Sequence, residues 1–161
     1  MGYTEALSEK LAIVGYVFSS TGFSGSSKET ATIDMDKFRR ALVILQGKVD
    51  TTVATTNGGL VMKLFDCTNT GKCASTAFMT CTGLQLPTTT RGYQSIAEVR
   101  SEMLGKKTTR AGTGRFFRAR VINGTLDAIA NIIVLGGDCR YGPASDYDLS
   151  SVAEIKDDMD A

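Results

Sequence analysis

The chain has no histidine and no tryptophan, and only two prolines among its 161 residues. Without histidine it lacks the commonest general base and a favoured nitrogen ligand for metals, so such chemistry would fall to carboxylates, lysines or thiolates. With so little proline, backbone N–H groups are free almost everywhere, which suits hydrogen-bonded sheets. No apolar run is long enough to span a bilayer as a helix. Met1-Gly2-Tyr3-Thr4-Glu5 has no basic stretch leading into an apolar core, so no secretory leader is expected, and Ala6 stands where a myristoylation signal wants Ser or Thr. No membrane partner is expected. A net charge of +1 argues against nucleic acid as well, because its binders rely on many cations unmatched by acids. Basic residues do gather at Lys106, Lys107 and Arg110 and at Arg115, Arg118 and Arg120, but the acidic residues 154–160 offset them.

Signatures of catalysis are missing too. There is no G-x-S-x-G elbow. Gly105-Lys106-Lys107-Thr108-Thr109 has the shape of a phosphate loop, yet Arg100 stands where its first glycine is required. No helical pattern follows Gly136-Gly137-Asp138, so it is no dinucleotide fingerprint. Asp34 and Asp36, and Asp146 and Asp148, alternate in loop-like stretches, where carboxylates serve turns and caps more often than calcium or acid–base pairs. No enzyme activity, cofactor or metal is expected.

Four cysteines are present. Cys67, Cys73 and Cys81 are separated by five and then seven residues, and Cys139 lies far downstream. A four-thiolate zinc site usually takes paired C-x-x-C knuckles, which this spacing does not supply. Free thiols acting as small apolar groups in a reducing cytoplasm are the ordinary reading. A Cys67–Cys73 or Cys67–Cys81 disulfide is the alternative.

What the chain does have is strand pattern and turn chemistry. Asn57-Gly58-Gly59 and Asn123-Gly124 each separate two strand-type runs and tolerate the positive φ of tight turns, which predicts two hairpins. Residues 38–46 and 128–135 are near-continuous apolar runs, expected to be buried on both faces. Residues 49–56 are rich in β-branched side chains. Leu60, Met62 and Leu64 share a face, as do Phe117, Ala119 and Val121 opposite Arg118 and Arg120. Residues 77–86 supply one or two short strands. Residues 95–100 alternate as a strand, with a helix as the other reading. About eight strands at short spacing predict an all-β protein, an antiparallel jelly-roll-like β-sandwich. Its expected core is Leu42, Ile44, Met62, Leu64, Phe117, Val121, Ile132 and Val134.

Three regions are expected: an extended N-terminal arm over 1–34, a β-sandwich domain over 35–150 and an acidic C-terminal tail over 151–161. Within the arm, residues 11–19 read either as a helix face or as an extended apolar run, followed by a Ser/Gly/Thr-rich stretch.

Met35-Asp36-Lys37-Phe38-Arg39-Arg40-Ala41-Leu42 begins a likeness to a family of tailed-phage structural proteins. It continues through Ala97-Glu98-Val99-Arg100, Phe117-Arg118-Ala119-Arg120-Val121 and the closing Gly136-Gly137-Asp138-Cys139-Arg140-Tyr141-Gly142-Pro143. In these segments, over residues 35–150, the chain resembles capsid decoration, or cement, proteins with a jelly-roll fold. The resemblance implies a structural virion protein on the outside of the phage head, a homotrimer that binds the major capsid protein and stabilises subunit junctions after assembly in the host cytoplasm. The cysteine cluster departs from that family's pattern. The alternatives are a carbohydrate-binding virion surface module and a tail or head–tail connector subunit. The expected contact residues are Leu7, Leu11, Ile13, Val14, Tyr16 and Phe18 in a gripping arm, with Asp138, Arg140 and Tyr141 as structural or interface residues.

Overall fold

The computed structural model describes residues 10–19, 22, 25–49, 60–68, 71–84, 93–104, 115–123, 128–141 and 147–150. Nine strands run through them: β1 (Leu11–Val17), β2 (Ser27–Glu29), β3 (Ile33–Asp34), β4 (Phe38–Val49), β5 (Leu60–Cys67), β6 (Met79–Leu84), β7 (Tyr93–Arg100), β8 (Phe116–Ile122) and β9 (Ala128–Cys139). One sheet has the order β1-β9-β4-β7. The other has the order β2-β8-β5-β6, with β3 also pairing β8. Every recorded pairing is antiparallel. With β2 and β3 taken as one interrupted strand, successive strands alternate between the sheets at every step but β5 to β6, which is a jelly-roll order. The sandwich is therefore the fold that strand counting predicted.

The core lies between the sheets. Met62, Leu64, Phe117, Val121, Ile132 and Val134 are fully buried, as expected. Leu42 and Ile44 are not: β4 turns Ala41, Val43 and Leu45 inward and leaves Leu42 and Ile44 half-buried outside. The same holds for β9, where Ala128, Ala130, Ile132 and Val134 are buried while Ile133 faces out. Both runs are apolar on two faces, but only one face of each meets the opposite sheet.

One further expectation fails: the hairpin expected at Asn123-Gly124 does not form, because β8 and β9 belong to different sheets. An Asn-Gly pair can reverse the chain without dictating what the next strand pairs with. The hairpin expected at Asn57-Gly58-Gly59, with the residues 50–56 that lead into it, lies outside the described residues. Among the described residues the one pairing between consecutive strands is β5 with β6. There Cys67 and Cys73, partners in an isolated bridge, form a disulfide across a six-residue separation, while Cys81 and Cys139 are not in a disulfide.

Strands β1, β2 and β3, in the region expected to be an arm, do not stand apart from the sandwich. β1 pairs with β9 from Leu11–Gly137 to Val17–Ile132, and β2 and β3 pair with β8. A shift in register between Ile13 and Gly15 accommodates Val14 and re-phases the strand, so Ala12 and Val17 both point inward. The cause is burial: this apolar segment covers the flank of its own core.

Candidate interaction surface

The outer face of the β1-β9-β4-β7 sheet carries three of the exposed large apolar side chains of the described residues, Tyr16, Ile96 and Ile133. Tyr16 pairs with Ile133, Ile133 with Ile44, and Ile44 with Ile96, so one row of large apolar side chains crosses all four strands. Tyr16, Ile133 and Ile96 are exposed. Beside this row stand Ile13, Leu135 and Leu42, in register and half-buried. Phe18, just past β1, is 69% exposed. The band has a polar margin at each end. Gln46, Asn131 and Gln94 line up on one side. On the other, Arg40 meets Asp138 at 3.1 Å and Arg100 meets Glu98 at 3.0 Å.

The outer face of the second sheet is built differently. Arg118 and Arg120 divide one carboxylate: Arg118 Nη1 donates to Glu29 Oε1 at 2.9 Å, and Arg120 Nε donates to Glu29 Oε2 at 3.0 Å. Arg118 Nη2 also donates to Thr32. The Arg120 guanidinium lies 4.6 Å from the Phe65 ring centre, covering an aromatic that would otherwise be wet. At the start of β8, Arg115 forks onto Asp34 at 2.8 and 2.6 Å and reaches Asp36 at 2.9 Å. That fork holds the Asp34 carboxyl below its ordinary value.

The residues expected at an interface divide. Leu11, Ile13 and Tyr16 lie on the outer apolar face, with Phe18 exposed beyond them, whereas Val14 packs against the core. Leu7 lies outside the described residues. Asp138 pairs with Arg40, from a left-handed backbone with φ of 53°. Arg140 donates to Ser101, and its backbone N–H bonds Lys37. These two residues fasten the end of β9 to β4 and β7. Tyr141 is 69% exposed while its carbonyl accepts from Tyr147. Gly136 has a packing duty as well, since a Cβ there would come within 2.7 Å of the Phe38 ring. Tyr147 meets that ring edge-on.

Sequence reading overlooked Asp66. Its side chain follows Leu60, Met62 and Leu64 onto the core face of β5, fully buried, and both carboxylate oxygens lack a hydrogen-bond partner. Alternation along β5 was the available signal. Two zinc-type thiolates are also spoken for, since Cys67 and Cys73 are joined. No group of three or more His, Cys, Asp or Glu side chains suited to a metal occurs among the described residues.

No protein-family model and no curated protein matches this chain. A solved structure from Bacillus endospore appendages, described as a novel family of disulfide-linked pili, is similar over 85% of this chain and 98% of that one, at 13% identity. Its TM-score is 0.37, too low for the likeness to support any argument about this protein.

Proposed function

We infer that this protein is a non-catalytic surface module that coats a phage head, binding the major capsid protein through the outer face of the β1-β9-β4-β7 sheet. The observation behind the reading is the exposed apolar row Tyr16–Ile133–Ile44–Ile96, set between a margin of amides and a margin of paired charges. A contiguous apolar band with a polar rim suits docking against another protein. The motif resemblance supplies the identity of the partner. A shell offers many equivalent copies of one site, so contacts that are weak singly add through effective concentration.

The test is to add purified protein to heads that lack it. Gold-labelled protein should decorate the whole head, and Tyr16→Ser with Ile133→Ser should weaken binding by at least about tenfold, as expected when more than about 1.4 kcal/mol of apolar contact is lost. Label at a single vertex would make it a connector, and absence of label would overturn the reading. Exposed Tyr16 and Phe18 also suit stacking beneath sugar rings, so robust binding on a glycan array would favour a carbohydrate-binding module instead.

A further inference from the structure

The two flanks of the sandwich are finished differently. On one flank β1 is covered: the N–H of Ile13 donates to the Asp148 carboxylate, and Leu149 N–H donates to the Ile13 carbonyl. Below it, β2 and β3 are three and two residues long, too short to template another strand. On the other flank β7 is the last strand of its sheet and, among the described residues, pairs with β4 alone. It runs eight residues in unbroken register from Arg40–Arg100 to Gly47–Tyr93. It holds no proline, lysine or bulge, and its two charges, Glu98 and Arg100, pair with each other near one end of the strand. Among the described residues no hydrogen bond engages its outward N–H and C=O groups.

A bare row of backbone donors and acceptors is matched by another extended strand. The side chains of β7 point to which one. When a second copy of β7 runs antiparallel about Ile96, that residue faces the partner's Ile96, and Gln94 faces the partner's Glu98 on each side of the axis. This register buries an isoleucine that is otherwise 59% exposed. It gives each Glu98 carboxylate an amide donor, keeps like charges apart and leaves Arg100 on its own Glu98. The contact is self-complementary, as a two-fold interface must be.

We propose that two copies of this chain join edge to edge through β7, antiparallel about Ile96, forming one continuous eight-stranded sheet. The apolar row on its outer face is then doubled in length. The pairing does not depend on head binding, and its two-fold symmetry differs from the three copies implied by the motif resemblance, so counting subunits separates the two.

Sedimentation of the full chain across a concentration series should show a monomer–dimer equilibrium. Ile96→Lys should weaken it at least about tenfold, since a lysine on a strand edge opposes pairing, while Lys63→Glu on the other sheet should leave it unchanged. As a check that does not rely on disruption, Ile96→Cys should give a covalent dimer with a short bis-maleimide. Lys63→Cys and the unaltered protein, with its own Cys81 and Cys139, should not. A monomer at all concentrations, a trimer, or a dimer indifferent to Ile96→Lys and uncross-linked at Ile96→Cys would overturn the proposal.

Discussion

The two sheets share one core and differ outside. The outer face of β1-β9-β4-β7 shows water a band of isoleucine, leucine and tyrosine, whereas the outer face of the second sheet is a network in which Glu29 serves two arginines and Arg120 covers Phe65. Both faces sit on strands of similar inward pattern, so the difference does not come from the demands of folding. A face finished with internal charge pairs has most of its charge already matched, Arg118 Nε excepted, and gains little from a partner. A face left apolar gains from being covered. The comparison assigns stability to one outer surface and association to the other.

The largest expected effect tests whether the first strands belong to this design at all. Deleting residues 1–33 removes β1 from one sheet and β2 from the other, uncovering Val134 and Phe117 along the flank. The shortened chain should fail to fold, seen as loss of the strand signal in circular dichroism. If it folds, residues 11–34 are an accessory after all and the flank is closed by something else.

Next comes a contrast between inside and outside. Phe117→Ala, in the shared core, should cost about 3–5 kcal/mol in denaturant unfolding. Ile133→Ser, on the outer apolar face, should stay within about 0.5 kcal/mol, as surface substitutions do. Equal losses would mean that the outer band is part of the fold's own packing, and the association reading would lose its basis.

Asp66 is the point where the inner face breaks its own rule. A carboxylate buried with neither oxygen hydrogen-bonded is costly, and Asp66→Val should raise stability by about 1–3 kcal/mol. A loss would mean that Asp66 has a counter-ion in solution.

Much of this was legible in the sequence, and the reasons for the rest are physical. Alternation located β5 and β8 with their inward residues because Lys63 in β5 and Arg118 and Arg120 in β8 mark the outer face. β4 and β9 are apolar on both faces, so periodicity does not say which side meets the core, and Ala41 and Val43 are buried where Leu42 and Ile44 are expected. Turn chemistry marks Asn123 as the residue after β8, but pairing is a property of the whole topology. β4 finds its neighbours in β7 and β9, far along the chain. The row Tyr16–Ile133–Ile44–Ile96 draws one residue from each of four strands, and no local window contains it. The disulfide lay between the two readings of the cysteines and needed the β5–β6 hairpin to bring Cys67 and Cys73 together.

The smallest expected effect sharpens the charged side of the comparison. The Asp34 carboxyl is held below its ordinary value of 3.8 chiefly by hydrogen bonds from Arg115, against the opposing effect of burial and with help from the Asp36 backbone N–H. A carboxyl whose folded value is depressed adds stability above its unfolded value and loses it as pH falls through the folded one. Asp34→Asn should therefore lower the melting temperature at about pH 7, and the gap from the unaltered protein should close as pH drops from about 4 toward 2. The Arg115 guanidinium is solvent-facing, so salt should narrow the gap at neutral pH too. Asparagine keeps an oxygen that can accept the N–H of Asp36, so a gap that persists in acid would show that Asp34 acts through its fit against Arg115 and not through its charge. In that case the network beside β8 would be geometric in origin, and the contrast between the two outer faces would rest on Glu29 and its two arginines alone.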